Sequence, residues 1–378
     1  MFLFERIFGF GVYMLVLLFV CFFLVKTNVS CKSMLKFYLI CLCIMAFLYK
    51  PYQTADLYRI YEQMNYFSTM EFKFFWNNFA LKSSIPISRL LFWCIGKTGI
   101  NALLPTFSAF VCYSLVFYII NKTKSIFNIS NQNVACTLFY IMTTSIYISV
   151  IGGVRMMLAL CLIVFSFFRF TVEKKINIID IILCVMSIFI HTMSIVVIGV
   201  CIIVILLDSN NNILRKIGIA FVVGICSCVF VVRFNNIVYS MYQKFLEYVL
   251  GDRHSDTWEY VMGIIIIATL LLIFMEYRHL QGNEECNTIR NYNSVAIMCV
   301  VIAIVFYFEF SIFYRFGGQL AVLFSIPSMM ITMEKNSGKS SLLIRGVGHR
   351  TVLMILSSII AVISCTRGSL SSLKFFEL

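Results

Sequence analysis

Long charge-free apolar runs alternate with short polar segments along the whole chain. Five runs approach or exceed the roughly 20 residues that a helix needs to cross a bilayer, namely 7–25, 98–121, 125–154, 181–207 and 316–333. Five shorter runs are flanked by Lys, Arg or Tyr, whose side chains extend the effective span, namely 37–49, 156–168, 217–232, 260–275 and 351–366. The pattern predicts about twelve transmembrane helices.

The composition agrees with this pattern. Of the 378 residues, 61% are hydrophobic and only 12% are charged, about half the charged share of a soluble domain. The sequence therefore predicts an all-α, polytopic integral membrane protein with a single transmembrane domain over residues 1–378. The 15 cysteines lie mostly inside apolar runs and form no C-x-x-C pair, so we expect no metal site and no cofactor.

The formal charge of +13 favours anionic membrane lipids as partners rather than nucleic acid, since no basic stripe with interleaved aromatics occurs in a soluble segment.

Basic residues indicate the orientation of the helices. Short cytoplasmic loops retain Lys and Arg. One register places 16 of the 30 basic residues on the cytoplasmic side, in segments 26–36, 122–124, 169–175, 208–216, 276–290 and 334–350.

This register has two consequences. It requires 176–207 to form two short helices that turn near His191. It also places two large loops outside, 50–97 and 233–259, with tight external turns at 152–155, at His191 and at 309–318. The first loop is too polar to span the bilayer and too aromatic to be disordered, so it predicts interfacial helices.

Four side chains open the 50–97 loop and are candidates for binding carbohydrate, because carboxylates accept hydrogen bonds from hydroxyls and aromatic faces pack on sugar rings: Asp56, Tyr58, Tyr61 and Glu62. A solvated loop without a ligand is the alternative interpretation.

Two arginines fall in predicted external turns beside glycines, where positive charge is disfavoured. Arg155 follows Gly152-Gly153, and Arg315 precedes Gly317-Gly318. A guanidinium presents a planar fork of donors that suits a phosphate or diphosphate, so we interpret the pair as an anion clamp. The alternatives are that Arg155 snorkels at a helix end and that Arg315 pairs with Glu309.

His191 is the only histidine inside an apolar stretch. Its imidazole could act as a general base or hydrogen-bond a sugar hydroxyl, and the alternative is a packing residue. The signatures of soluble enzymes are missing, including a P-loop, G-x-S-x-G and H-E-x-x-H. Any chemistry is therefore expected to be metal-independent and to use a substrate that is already activated.

In this order, several elements resemble the EpsG/Wzy-like family of bacterial polysaccharide polymerases. They are an early external loop with Asp56, Tyr58 and Tyr61, the stretch 85–91 with Pro86 and Arg89, Arg155 ahead of an apolar helix, the segment 189–194 around His191, and a late Tyr314-Arg315. The chain departs from the family pattern at Met156, where a Gln commonly follows the arginine, and at Ala55, where Gly is usual.

The resemblance implies an O-antigen or polysaccharide polymerase with a GT-C-like architecture in the bacterial inner membrane and an active site that faces the periplasm. It would join oligosaccharide repeat units carried on undecaprenyl diphosphate, with a chain-length regulator and a flippase as further partners. Catalytic roles would fall to Arg155, Arg315 and His191. Substrate binding would involve Asp56, Tyr58, Tyr61, Glu62, Arg89, Tyr314 and Gln319.

Two other functions fit the same pattern. About twelve helices and cationic residues near the membrane also suit a flippase or another transporter of lipid-linked oligosaccharide. The large external loop, and the placement of both arginines and the histidine on one face, favour the polymerase. A third reading is an assembly or acyl-transfer component of envelope synthesis.

Overall fold

A computed structural model describes residues 2–27, 29–53, 55–144, 146–175, 177–207, 257–280, 284–336 and 348–366. Within these ranges the regular structure is helical, in agreement with the predicted all-α polytopic class. The predicted span 217–232 and all of the second predicted external loop up to residue 256 lie outside the described residues.

The helices follow the apolar runs closely. In chain order they are α1 (Phe2–Lys26), α2 (Cys31–Leu48), α3 (Asp56–Ser68), α4 (Phe72–Phe75), α5 (Pro86–Gly96), α6 (Leu103–Phe127), α7 (Asn131–Thr143), α8 (Ile146–Gly152), α9 (Val154–Thr171), α10 (Ile178–Ile190), α11 (Ser194–Leu207), α12 (Thr257–Arg278), α13 (Glu284–Val305), α14 (Phe310–Phe313), α15 (Ala321–Lys335) and α16 (His349–Thr366). Two π-helical segments, Trp76–Ala80 and Tyr314–Leu320, continue α4 and join α14 to α15.

Seven described helices are long and apolar enough to cross a membrane, and α7 with α8, bent by 53°, would make an eighth. The seven come from α1, α2, α6, α9, α12, α13 and the combined segment Phe310–Lys335. The helices α10 and α11 have 13 and 14 residues, hence a length of about 20 Å at 1.5 Å per residue. The described residues thus support a polytopic membrane protein with fewer full-length spans than the twelve predicted.

The predicted break near His191 is confirmed. The chain leaves the helical conformation between α10 and α11, and the hydroxyl of Ser194 donates to the carbonyl of Ser187 at 2.9 Å. In a continuous helix these residues would be about 10 Å apart along the axis, too far for this bond. The chain therefore reverses direction at this point.

Contacts between distant segments define two ends of the bundle. We call the end that carries residues 50–97 the outer end and the opposite end the inner end. Three contacts at the outer end join Arg155 to Asp56, Ser88 to Ile190, and Gln319 to Ser149. The first two contacts join segments that the charge pattern groups on the external face, and the third joins positions next to two predicted external turns. The side of the membrane stays a prediction.

Polar contacts also fasten the inner end. The carboxylate of Glu334, near the end of α15, accepts from the backbone N–H of Ser130 and the amide of Asn133, each at 2.7 Å. Arg350 on α16 donates to the same Asn133 at 2.6 Å. These bonds tie the start of α7 to the end of α15 and the start of α16. The predicted loop at 122–124 lies within α6, and the chain turns at 128–130 instead, so the connection that meets 334–350 is a few residues later than predicted.

The centre of the bundle is α15, whose residues 321–333 are all buried. It packs against α6, α7, α12 and α13. Its buried part, residues 321–333, carries no charged side chain and is otherwise apolar except for three hydroxyl residues, as expected for a helix surrounded on every side.

The segment 50–97 folds as helices at the outer end. Leu57, Ile60, Met64 and Phe67 form one buried face of α3, which packs on α5. A Cβ on Gly96 of α5 would lie 2.6 Å from the carbonyl oxygen of Met64. The close approach of α3 and α5 therefore depends on glycine at this position, and it fixes where their polar side chains lie.

Candidate functional site

Arg155 lies in the first turn of α9, directly after a helix junction. Gly152 ends α8, and Gly153 is the N-cap of α9. A Cβ on Gly153 would lie 2.9 Å from the carbonyl oxygen of Ser149, so the tight junction favours glycine here. The predicted turn at 152–155 is thus a short break between two helices, and the amide groups at the start of α9 add positive potential around Arg155.

Asp56 holds the guanidinium of Arg155. Their Nη2 and Oδ2 atoms are 3.2 Å apart, and the side chains are 28% and 55% exposed, respectively. Asp56 is the first residue of α3, where a carboxylate interacts favourably with the helix dipole. Arg155 is therefore fixed at one place in the outer end rather than extended along the membrane surface, and its pair remains open to solvent.

A second guanidinium lies close to this ion pair. Arg89 on α5 donates to Oε1 of Gln63 at 2.9 Å, and its guanidinium carbon is 5.2 Å from the centroid of the Phe67 ring. Burial lowers the pKa of Arg89, and the positive charge of Arg155 lowers this pKa further. Both side chains stay charged at physiological pH, so two positive charges lie in the same region of the outer end, held by Asp56 and Gln63 on one face of α3.

We call Asp56, Gln63, Arg89 and Arg155 the outer-end cluster. It holds two positive side chains and one negative side chain, so it carries a net positive charge. Because Arg155 and Arg89 come from separate helices that are fixed by packing, an anion that binds one of them also interacts favourably with the positive charge of the other. The cluster is suited to a phosphate or diphosphate.

Sequence reasoning missed Gln63, although a signal for it exists. Gln63 is seven residues after Asp56, which is about two helical turns, so the two side chains share one face of α3. Reading 56–68 as a helix would have paired them. The partner of each side chain on another helix could not be read from α3 alone.

The remaining carbohydrate candidates on α3 do not share that face. Tyr58 lies about 200° round the helix from Asp56. The buried hydroxyl of Tyr61 has no hydrogen-bond partner within the described chain. Burial raises the pKa of the Tyr61 hydroxyl, and the neighbouring Tyr49 raises this pKa further. Glu62 is exposed. Their predicted role as one carbohydrate-binding set is therefore not supported by the helix geometry.

His191 is tied to the helix that carries Arg89. The hydroxyl of Ser88 donates to the carbonyl of Ile190 at 2.8 Å, which joins the turn after α10 to α5. The backbone N–H of Met193 donates to Nδ1 of His191 at 3.2 Å. In the neutral ring the proton then lies on Nε2. Of the two predicted roles, this geometry favours hydrogen-bond donation over proton abstraction.

Arg315 lies in a helix rather than in a tight turn. The chain turns at 306–309, and residues 310–320 are helical, so the predicted external turn at 309–318 is wrong over most of its length. A π-helical segment, Tyr314–Leu320, contains Arg315, Tyr314 and Gln319. A Cβ on Gly318 would lie 3.0 Å from the Tyr314 ring, so this glycine lets the ring pack closely. Such segments often occur at functional sites.

One hydrogen bond connects the π-helical segment to the neighbourhood of Arg155. The amide of Gln319 donates to the hydroxyl of Ser149 at 2.8 Å, and Ser149 is one turn before Gly153. The other amide atom of Gln319, Oε1, is buried and has no hydrogen-bond partner within the described residues. Arg315 therefore lies at the same end as Arg155, on a segment that is hydrogen-bonded to α8, the helix directly before Arg155.

Glu309, the predicted alternative partner of Arg315, is buried at the start of α14. Its Oε1 accepts no hydrogen bond from the described part of the chain. In the same part, no group of three or more His, Cys, Asp or Glu side chains is arranged to hold a metal ion.

Comparisons with protein families, with characterised proteins and with solved structures found no match for this chain.

Proposed function

We propose that this chain is a polysaccharide polymerase of the bacterial inner membrane, which joins oligosaccharide repeat units carried on undecaprenyl diphosphate. The observation that carries the proposal is the outer-end cluster, in which Asp56 holds Arg155 on one helix face of α3 and Gln63, two turns along the same face, holds Arg89. A lipid diphosphate is an anion of matching charge, already activated for glycosyl transfer. The proposal places this end of the bundle on the periplasmic side and gives the chain a GT-C-like architecture.

The reaction makes specific demands on the cluster. The bond from an acceptor hydroxyl oxygen to the anomeric carbon forms as the bond from that carbon to the diphosphate oxygen breaks. The electron pair leaves with the diphosphate, and the hydroxyl proton passes to the departing diphosphate. Arg155 and Arg89 would stabilise this charge as it develops. A preorganised donor of this kind contributes about 3 kcal/mol to lowering the barrier. Nε2–H of His191 would donate to an oxygen of the donor or acceptor.

Deleting the gene and separating the surface glycan on a gel tests the proposal. A polymerase deletion leaves glycan with one repeat unit, because a single unit is still made and exported. Re-expression of the wild-type chain should restore the ladder, and Arg155→Ala should not. Arg278→Ala is the matched control, since Arg278 is an exposed arginine at the end of α12, away from the cluster.

A flippase of the same lipid-linked oligosaccharide is the second candidate, because apolar spans and cationic side chains suit transport as well. Its deletion removes all repeat units from the surface glycan. The same gel therefore separates the two functions.

A further inference from the structure

A groove lies at the inner end, away from the outer-end cluster. It has a volume of about 310 Å³ and runs between the end of α11 and the middle of α13. Leu207 forms its rim on α11, and the other wall is one face of α13. The ring of Tyr292 on α13 contacts that of Phe168 with centroids 5.6 Å apart, so the groove is at the same level as the basic end of α9.

The wall on α13 changes from polar to apolar along the helix. Arg290, Asn291 and Ser294 line the half nearest the inner end, and Ile297 and Met298 line the other half. These residues span about 12 Å at 1.5 Å per residue. Charge and hydrogen-bond donors therefore lie at one end of the groove, and a dry surface lies at the other.

The apolar half continues onto the outer surface of α13. Ile297, Val301 and Ile304 are 39%, 47% and 48% exposed, and they recur at the spacing of one helix face. On a membrane-spanning helix such a face contacts lipid chains. The groove therefore opens towards the bilayer interior at its apolar half and towards the bilayer surface at Arg290.

We propose that this groove is a binding site for an anionic glycerophospholipid of the membrane. The lipid phosphate would be held by the guanidinium of Arg290 and the amide of Asn291. Its acyl chains would run over Ile297, Met298 and Val301. A phospholipid combines a negative headgroup with apolar chains in the order that the groove presents, whereas free phosphate would use only the polar half. The proposal is independent of the polymerase function.

Lipid binding to the full-length protein measures the preference directly. Native mass spectrometry of the purified chain in detergent, with equal amounts of phosphatidylglycerol and phosphatidylcholine, should show preferential retention of phosphatidylglycerol. Arg290→Gln should reduce this preference about fivefold, the factor for the ~1 kcal/mol that one basic side chain contributes near a membrane surface. Arg290→Lys should retain most of it. Arg278→Gln is the control, since Arg278 is exposed at the end of α12 and lies outside the groove.

A local measurement covers the case in which Arg290→Gln folds poorly. In an Ile297→Trp variant, dibrominated phosphatidylglycerol should quench the added fluorescence more strongly than dibrominated phosphatidylcholine. At Ile359→Trp, an exposed apolar position on α16, the two lipids should quench equally. Millimolar inorganic phosphate should not abolish the difference.

Three outcomes would overturn the proposal. These are equal retention of the two lipids by the wild-type chain, an unchanged preference in folded Arg290→Gln, and displacement of the phospholipid by inorganic phosphate alone.

Discussion

Replacing Asp56 by Asn should strengthen the binding of pyrophosphate to the outer-end cluster. Asp56 is the carboxylate that pairs with Arg155 at 3.2 Å, and it competes with an incoming anion for the same guanidinium. Asn has nearly the same shape and retains a hydrogen-bonding oxygen, but it removes the competing negative charge. The positive charges of Arg155 and Arg89 would then act on the ligand without this counterion.

The exposure of the Asp56–Arg155 ion pair limits the gain in pyrophosphate affinity that Asp56→Asn can produce. Asp56 is 55% exposed and Arg155 is 28% exposed, so solvent screens their attraction. Exposed ion pairs of this kind contribute about 0.2–1 kcal/mol, and two unit charges 4 Å apart in water interact by about 1 kcal/mol. The expected gain in pyrophosphate affinity is therefore at most about fivefold, with a change in the free energy of unfolding below about 1 kcal/mol.

Isothermal titration calorimetry of the purified chain in nanodiscs measures the affinity. The gain should decrease with added salt, because screening weakens interactions at exposed charges. Glu62→Gln is the matched control: it removes an exposed carboxylate from the same helix and should leave the affinity unchanged. Weaker binding by Asp56→Asn would refute the reasoning, since it would mean that Asp56 helps to hold the anion.

Three further predictions concern the helices around the cluster. Gly96→Val should destabilise the fold by roughly 1–3 kcal/mol and lower the melting temperature, because its side chain would meet a backbone carbonyl of α3. Gly152→Ala is the control: no atom lies within 4 Å of the new Cβ, so the melting temperature should be nearly unchanged. If His191 acts through Nε2–H, wild-type polymer yield should not follow imidazole titration between about pH 6 and 8, and a titration that disappears in His191→Ala would show a base instead. Ser149→Ala and Gln319→Ala should shorten the polymer to the same extent and should not add in the double variant, whereas additive losses would mean that their hydrogen bond is not the link.

The pattern of apolar runs predicted much of the fold, because a helix that crosses a bilayer needs apolar side chains along its whole length of about 20 residues. The break at His191 could be inferred because a single span would have placed Arg215 and Lys216 outside. The helical nature of 309–318 was missed, since glycines normally indicate turns. There they allow the close packing of a π-helical segment, in which Gly318 lies against Tyr314.

The candidate site was predicted only in part. Arg155 could be singled out because a charge beside glycines at a membrane boundary is costly. Its direct partner on α3 and the adjacent Arg89 are 99 and 66 residues away in sequence, and only the packing of α3 on α5 and of α8 near α3 brings them together. No periodicity within one helix encodes such contacts.

The most direct test of the central claim is the reaction itself, carried out with the purified chain and repeat units linked to undecaprenyl diphosphate. Mass spectrometry should detect products with two or more repeat units, and one undecaprenyl diphosphate should be released for each new linkage. Arg155→Ala should lower the rate at least about 100-fold, the loss expected on removing a donor that stabilises developing charge, while Arg278→Ala should behave as the wild type. If the wild-type chain forms no product with two or more repeat units but moves the lipid-linked unit across vesicle membranes, the polymerase account is contradicted.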